Sequence, residues 1–134
     1  MTSSANDLSY LKKESPNDLA IYAGAESDCP ISADEVTGIV KGVLIRSRLK
    51  PNRESWSFSP LYLQAYLSCL PIAGNNPVFR ISTIFGRRTP YPPILYDKDY
   101  STLGIGDKDS MIRAIKNSTE SAVTDYIQEN FIKD

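Results

Sequence analysis

The chain has 134 residues, of which 41% are hydrophobic and 23% charged, and its formal net charge is −1. These values are typical of one ordinary globular domain. The sequence contains no histidine, which excludes the commonest general base and the commonest transition-metal ligand. The longest apolar runs are far shorter than the roughly 20 residues that cross a bilayer. We therefore expect neither a cofactor nor a transmembrane helix.

Residues 1–30 are rich in Ser, Asn, Asp, Gly and Pro, with only scattered apolar positions. This composition predicts an irregular N-terminal arm, with one short helical turn near Asp7–Glu14. Residues 31–134 are predicted to form a single α+β domain. Its first helix begins with the capping-box spacing of Ser32 and Glu35, and it ends near Leu49, because a proline follows two residues later.

A β-hairpin is predicted after this helix. The odd positions of Leu61–Leu70 are apolar and the even ones mixed, turn formers fill residues 71–77, and a second alternating run covers Val78–Phe85. The remaining pattern predicts a short edge strand at Ile94–Tyr96, a loop over Asp97–Asp109, and a final helix of about four turns. The predicted fold class is α+β, with two helices packed on one face of a small antiparallel sheet, in the order helix, hairpin, short strand, helix.

The two cysteines bear on the compartment. Cys29 and Cys69 allow one disulfide or none, so a bond and a pair of buried thiols are both open. A disulfide would favour an oxidising environment. Residues 1–10 lack the basic start and apolar run of an export signal. We expect a cytoplasmic protein if Met1 is the native start, and a periplasmic or secreted one if a signal peptide was removed.

The near-neutral total hides a basic centre. The segment Lys41–Arg88 holds eight basic residues against one acidic residue, Glu54, a local charge of +7 that leaves −8 to the rest of the chain. Such a segment is typical of a surface for nucleic acid, phosphate or anionic lipid. The alternative, which we favour, is that acidic segments fold back on it. Its candidate binding residues are Arg46, Arg48, Arg80, Arg87 and Arg88.

Catalysis is the poorest fit to the sequence. Asp97, Asp99 and Ser101 have the spacing that opens a calcium loop, but Thr102 and Lys108 stand where glycine and a bidentate glutamate are needed. An enzyme built on the Asp97/Asp99 loop is the least favoured hypothesis. We predict no catalytic residue and no metal ligand.

The sequence favours a small non-catalytic binding or accessory module. We predict that it holds a protein partner through the hairpin face and the basic centre, with Tyr62 and Tyr66 on the outward side of the hairpin. The alternative is an anion or nucleic-acid binder that uses the arginines, since guanidinium groups pair with phosphates and carboxylates. The pattern indicates no particular oligomeric state.

Overall fold

The computed structural model describes residues 8–13, 15–51, 61–87 and 94–132. A 3-10 turn at Ser9–Leu11 precedes the first strand, and a π-helical turn at Gln128–Ile132 follows the last helix. The helices and strands, in chain order, are β1 (Asp18–Ala25), α1 (Ala33–Arg46), β2 (Lys50–Pro51), β3 (Leu61–Ile72), β4 (Asn75–Arg87), β5 (Ile94–Asp99), β6 (Thr102–Ile105) and α2 (Lys108–Ile127).

The strands form one six-stranded mixed sheet in the order β2-β1-β3-β4-β5. β6 also pairs with β4, at Val78–Ile81, whereas β5 pairs with β4 at Ile84–Arg87. β1 is parallel to β2 and to β3, whereas β3, β4, β5 and β6 pair in antiparallel fashion. The predicted small antiparallel sheet is therefore wrong. So is the predicted order, because β1 precedes α1 and the chain returns through α1 to place β3 beside β1.

The correction comes from β1 and β6. β1 lies within the segment predicted to be irregular, and its register joins Ala20 to Tyr62, about forty residues later in the chain. Parallel strands are joined by a crossover connection and lie far apart in the chain. The residue pattern of β1 alone therefore gives little indication of its pairing with β3. β6 lies within the predicted loop over Asp97–Asp109, because a four-residue strand is too short for its alternation to stand out.

The capping box of α1 and the alternation of faces along the hairpin are confirmed. The Ser32 hydroxyl accepts from the Glu35 N–H, and the Glu35 carboxylate accepts from the Ser32 N–H, both at 3.1 Å. Two orphan donors at the start of α1 are thus satisfied. The hairpin of β3 and β4 has the predicted parity, with Leu63 opposite Phe85 and Leu67 opposite Ile81.

The core lies between the sheet and its two helices. We call the sheet surface that packs against α1 and α2 the inner face, and the opposite surface the outer face. Odd-numbered residues of β1, β3 and β4 point to the inner face, because successive side chains of a strand alternate. The buried residues that join this core from sheet and helices include Leu19, Ile21, Leu63, Leu67, Ile81, Phe85, Val36, Val40, Leu44, Met111, Ile115 and Val123.

Cys29 and Cys69 connect the turn after β1 to β3. Their sulfur atoms lie at bonding distance and their Cα atoms are 5.3 Å apart, within the range that disulfides span. The link joins residues 40 positions apart and ties the entry to α1 to the middle of the sheet. Within the described ranges, neither helix is long and apolar enough to cross a membrane.

Candidate functional site

The outer face carries a group of aliphatic side chains near the turn of the hairpin. The register places Leu70 of β3, Val78 of β4 and Ile105 of β6 in one row across three strands. The next row contains Arg80 and Leu103. We call Leu70, Val78, Leu103 and Ile105 the apolar patch.

Three of these side chains are largely open to solvent. Leu70 is 64% exposed, Leu103 is 72% exposed and Ile105 is 70% exposed, while Val78 is half-buried between them. A single exposed leucine is ordinary on a protein surface. Neighbouring exposed aliphatic side chains in adjacent rows form a contiguous apolar surface, and large surfaces of this kind mark interaction sites.

A polar border adjoins the patch. The Arg80 guanidinium lies 3.4 Å from the Asp99 carboxylate, and both side chains are about half exposed. Asp99 also accepts from the backbone N–H of Ser101 at 2.9 Å. An exposed pair of this kind contributes little to stability. An apolar centre beside such polar groups has the anatomy of a protein–protein interface.

The two predicted tyrosines differ in their availability. The Tyr62 ring is buried across Gly86, where an added Cβ would come within 2.5 Å of the tyrosine hydroxyl, and burial raises the pKa of Tyr62. Tyr66 is 40% exposed. With Tyr22 and Gln64 it lines a shallow pocket of about 360 Å³ on the outer face. Tyr66 is thus placed to contact a ligand, whereas Tyr62 covers the sheet.

The predicted arginines do not share one surface. Arg46 and Arg48 are exposed at the end of α1, on the inner side of the sheet, whereas Arg80 lies on the outer face. Because the sheet separates Arg46 and Arg48 from Arg80, the three cations cannot bind the same small anion. Arg88 lies outside the described residues.

Arg87 has a structural role. Its Nε donates to the Tyr96 hydroxyl at 2.8 Å, and its terminal nitrogen donates to the Tyr10 carbonyl at 2.8 Å. The rings of Tyr10 and Tyr96 stack with centroids 4.0 Å apart. Arg87 therefore fastens the segment before β1 to the edge strand β5, and these contacts use two of its N–H groups.

The loop proposed for an enzyme forms internal contacts. Tyr100 is buried, and its hydroxyl donates to the Asp125 carboxylate at 2.6 Å. Lys98 lies 3.4 Å from the same carboxylate. Burial, and then the bond to Asp125, raise the pKa of Tyr100 well above its ordinary value. These groups tie the β5–β6 connection to α2, while the side chain of Asp97 lies outside the described part of the chain.

Sequence reasoning missed the patch itself. The sequence predicts a loop over Asp97–Asp109, whereas Leu103 and Ile105 share one face of β6, and their two-residue spacing is the sign of a strand. Leu70 occupies an even, outer-face position of β3, where an aliphatic residue follows the more polar Gln64 and Ser68 of the same face.

Comparisons of this chain with known protein families, with curated proteins and with solved structures find no match.

Proposed function

We propose that this protein is a non-catalytic binding module that holds a protein partner on the outer face of its sheet. The observation that carries the proposal is the apolar patch, in which Leu70, Leu103 and Ile105 are each at least 64% exposed in adjacent rows. Covering these side chains would remove apolar surface from water, which contributes roughly 25 cal/mol of favourable free energy per Å² buried. The complex with a partner that has a complementary apolar surface would therefore be stabilised.

The surroundings of the patch suit a protein better than a nucleic acid. The cation beside it, Arg80, is already paired with Asp99, and a phosphate backbone would have to compete with that carboxylate. Tyr66 adds a half-open aromatic ring on the same face. Tyrosine and arginine are enriched at protein interfaces, where they contribute much of the binding energy.

The test compares two charge substitutions at matched exposure. Leu70→Glu places a carboxylate in the patch, while Ile45→Glu does so at an isolated aliphatic residue of α1, which is 61% exposed on the other side of the sheet. Affinity purification from cells of the source organism should recover a protein in stoichiometric amount with wild type and with Ile45→Glu. Recovery with Leu70→Glu should fall by about tenfold or more, since a charge buried in an apolar contact is costly.

The same experiment distinguishes the alternative. Equal recovery with both variants would contradict a role for the patch. Recovery of nucleic acid that falls steeply with rising salt would instead favour the anion-binding hypothesis, because counterion release makes phosphate contacts salt-dependent.

A further inference from the structure

β6 forms part of the sheet edge, and the hydrogen bonds at its two ends define the direction of its backbone groups. The Gly106 N–H donates to the Pro77 carbonyl at 3.2 Å, and the Tyr100 N–H donates to the Thr83 carbonyl at 2.9 Å. In an antiparallel ladder, residues that exchange hydrogen bonds recur at every second position. Both flanking contacts belong to the same set, so even-numbered residues from 100 to 106 direct their backbone groups toward β4.

The odd-numbered residues of β6 face the other way. Thr102 and Gly104 bond to β4, opposite Ile81 and Phe79 respectively. The backbone N–H and C=O of Leu103 and Ile105 therefore point away from β4. No strand among the described residues pairs with that side of β6. The outward edge thus offers donors and acceptors in the arrangement that an added strand requires.

The chemistry of this edge is unusual for an open one. Natural proteins protect open edges by keeping them very short, or with charged side chains, proline or bulges. The neighbouring strand β5 follows this rule, since it carries Lys98 and Asp99. β6 has the sequence Thr-Leu-Gly-Ile, without charge or proline. Apart from its length of four residues, β6 therefore carries no side-chain protection against an added strand at its outward edge.

We propose that β6 pairs with β6 of a second copy of this chain, in antiparallel fashion about a two-fold axis at Gly104. This inference rests on the proposed function, because it names the chain itself as one partner of the apolar patch. The register places Leu103 of each copy opposite Ile105 of the other, with about four backbone hydrogen bonds between them. Both aliphatic side chains lie on the outer face, so each covers its counterpart.

The second copy is favoured by self-complementarity. A two-fold interface brings the same surface to both sides, and the register centred on Gly104 pairs each apolar residue with an apolar one, with no charged residue in either strand. Gly104 is already required by the fold, since an added Cβ would lie 2.9 Å from the Phe79 ring. The two-fold arrangement closes on itself and gives a dimer rather than a fibre.

The small size of β6 limits the affinity. A four-residue strand buries less than the roughly 800 Å² per partner of a standard interface. We therefore expect a weak dimer that forms as the protein concentration rises from roughly micromolar toward roughly millimolar.

The experiment is sedimentation equilibrium of the full chain, with its disulfide intact, over that concentration range. Wild type should pass from monomer to dimer. Ile105→Pro removes an outward N–H that makes no bond to β4, so the internal ladder keeps its donors. This variant should lower the association constant by about tenfold or more. Leu103→Lys, which keeps the backbone donor but removes the apolar contact, should weaken the dimer as well and serves as the second variant if Ile105→Pro fails to fold.

Leu70→Glu separates this inference from the proposed function. Leu70 lies on β3, with β4 between it and β6, so the dimer should be unchanged while capture of another protein is lost. A chain that stays monomeric at all concentrations, assembles beyond a dimer, or dimerises equally well with folded Ile105→Pro or Leu103→Lys overturns the inference. If it stays monomeric while Leu70→Glu still abolishes capture, the proposed function stands and the dimer alone is rejected.

Discussion

Both faces of the β3–β4 hairpin carry apolar side chains, but the two faces differ in how far these side chains are buried. On the inner face, Leu67 and Phe85 are fully buried under the helices, whereas on the outer face Leu70 is 64% exposed. The same alternation of side chains produces both surfaces. The inner face therefore supplies the burial that stabilises the fold, whereas the exposed aliphatic surface of the outer face contributes little to stability and is the surface on which we propose that a partner binds.

The largest expected effect tests this division directly. Phe85→Ala removes a fully buried ring that contacts Tyr100 edge-to-face at 5.9 Å and stacks with Tyr126 at 6.3 Å. We expect a loss of about 3–5 kcal/mol in the free energy of unfolding, measured by urea denaturation. Leu70→Ala is the matched outer-face control and should change that free energy by less than about 0.5 kcal/mol. A comparable loss in both variants would contradict the claim that the inner face stabilises the fold more than the outer face does.

The disulfide gives the next largest effect, on the inner face. Replacing Cys29 and Cys69 together by serine removes a link between residues 40 positions apart, which should cost about 2–4 kcal/mol through the greater freedom of the unfolded chain. Thermal unfolding with and without reductant measures the same quantity in wild type. Thiol titration of the denatured, unreduced protein should find no free thiol, and two reactive thiols would contradict the bond.

A smaller effect is expected at the Tyr100–Asp125 contact. Tyr100→Phe removes the hydroxyl that donates to Asp125 at 2.6 Å, and the free energy of unfolding at neutral pH should fall by about 1–2 kcal/mol. The folded protein raises the pKa of Tyr100 above the ordinary value of about 10. Its contribution to stability is therefore complete below about pH 10 and is lost at higher pH, where the unfolded chain ionises.

Denaturation at a series of alkaline pH values checks the sign of this dependence. Wild type should lose stability as the pH rises above about 10, and Tyr100→Phe should lose less over the same interval. An identical pH dependence in the two proteins would show that Tyr100 does not hold its proton more tightly when folded.

The sequence predicts the elements that depend on neighbouring residues better than those that depend on residues far apart in the chain. α1, the hairpin and α2 were predicted from capping residues and from local periodicity, and all three are confirmed. β1 was missed because its partner residues, Tyr62–Leu67, lie far along the chain. Small residues at Ala23 and Ala25 also weaken its apolar alternation.

The candidate site was harder to predict than the fold. Arg80 and Tyr66 were predicted and lie on the outer face. Leu103 and Ile105 acquire their exposed positions only when β6 pairs with β4. The spacing of the arginines in the sequence could not show that the sheet separates Arg46 from Arg80, because that separation depends on which face each element presents.

The measurement that tests the account most directly is amide hydrogen exchange along β6 at low and at high protein concentration. Thr102 and Gly104 should exchange slowly at both concentrations, because their N–H groups bond to β4. Leu103 and Ile105 should exchange fast in dilute solution and slowly when concentrated, as the second copy covers the edge. Slow exchange of Leu103 and Ile105 in dilute solution, or fast exchange that concentration leaves unchanged, would contradict the account.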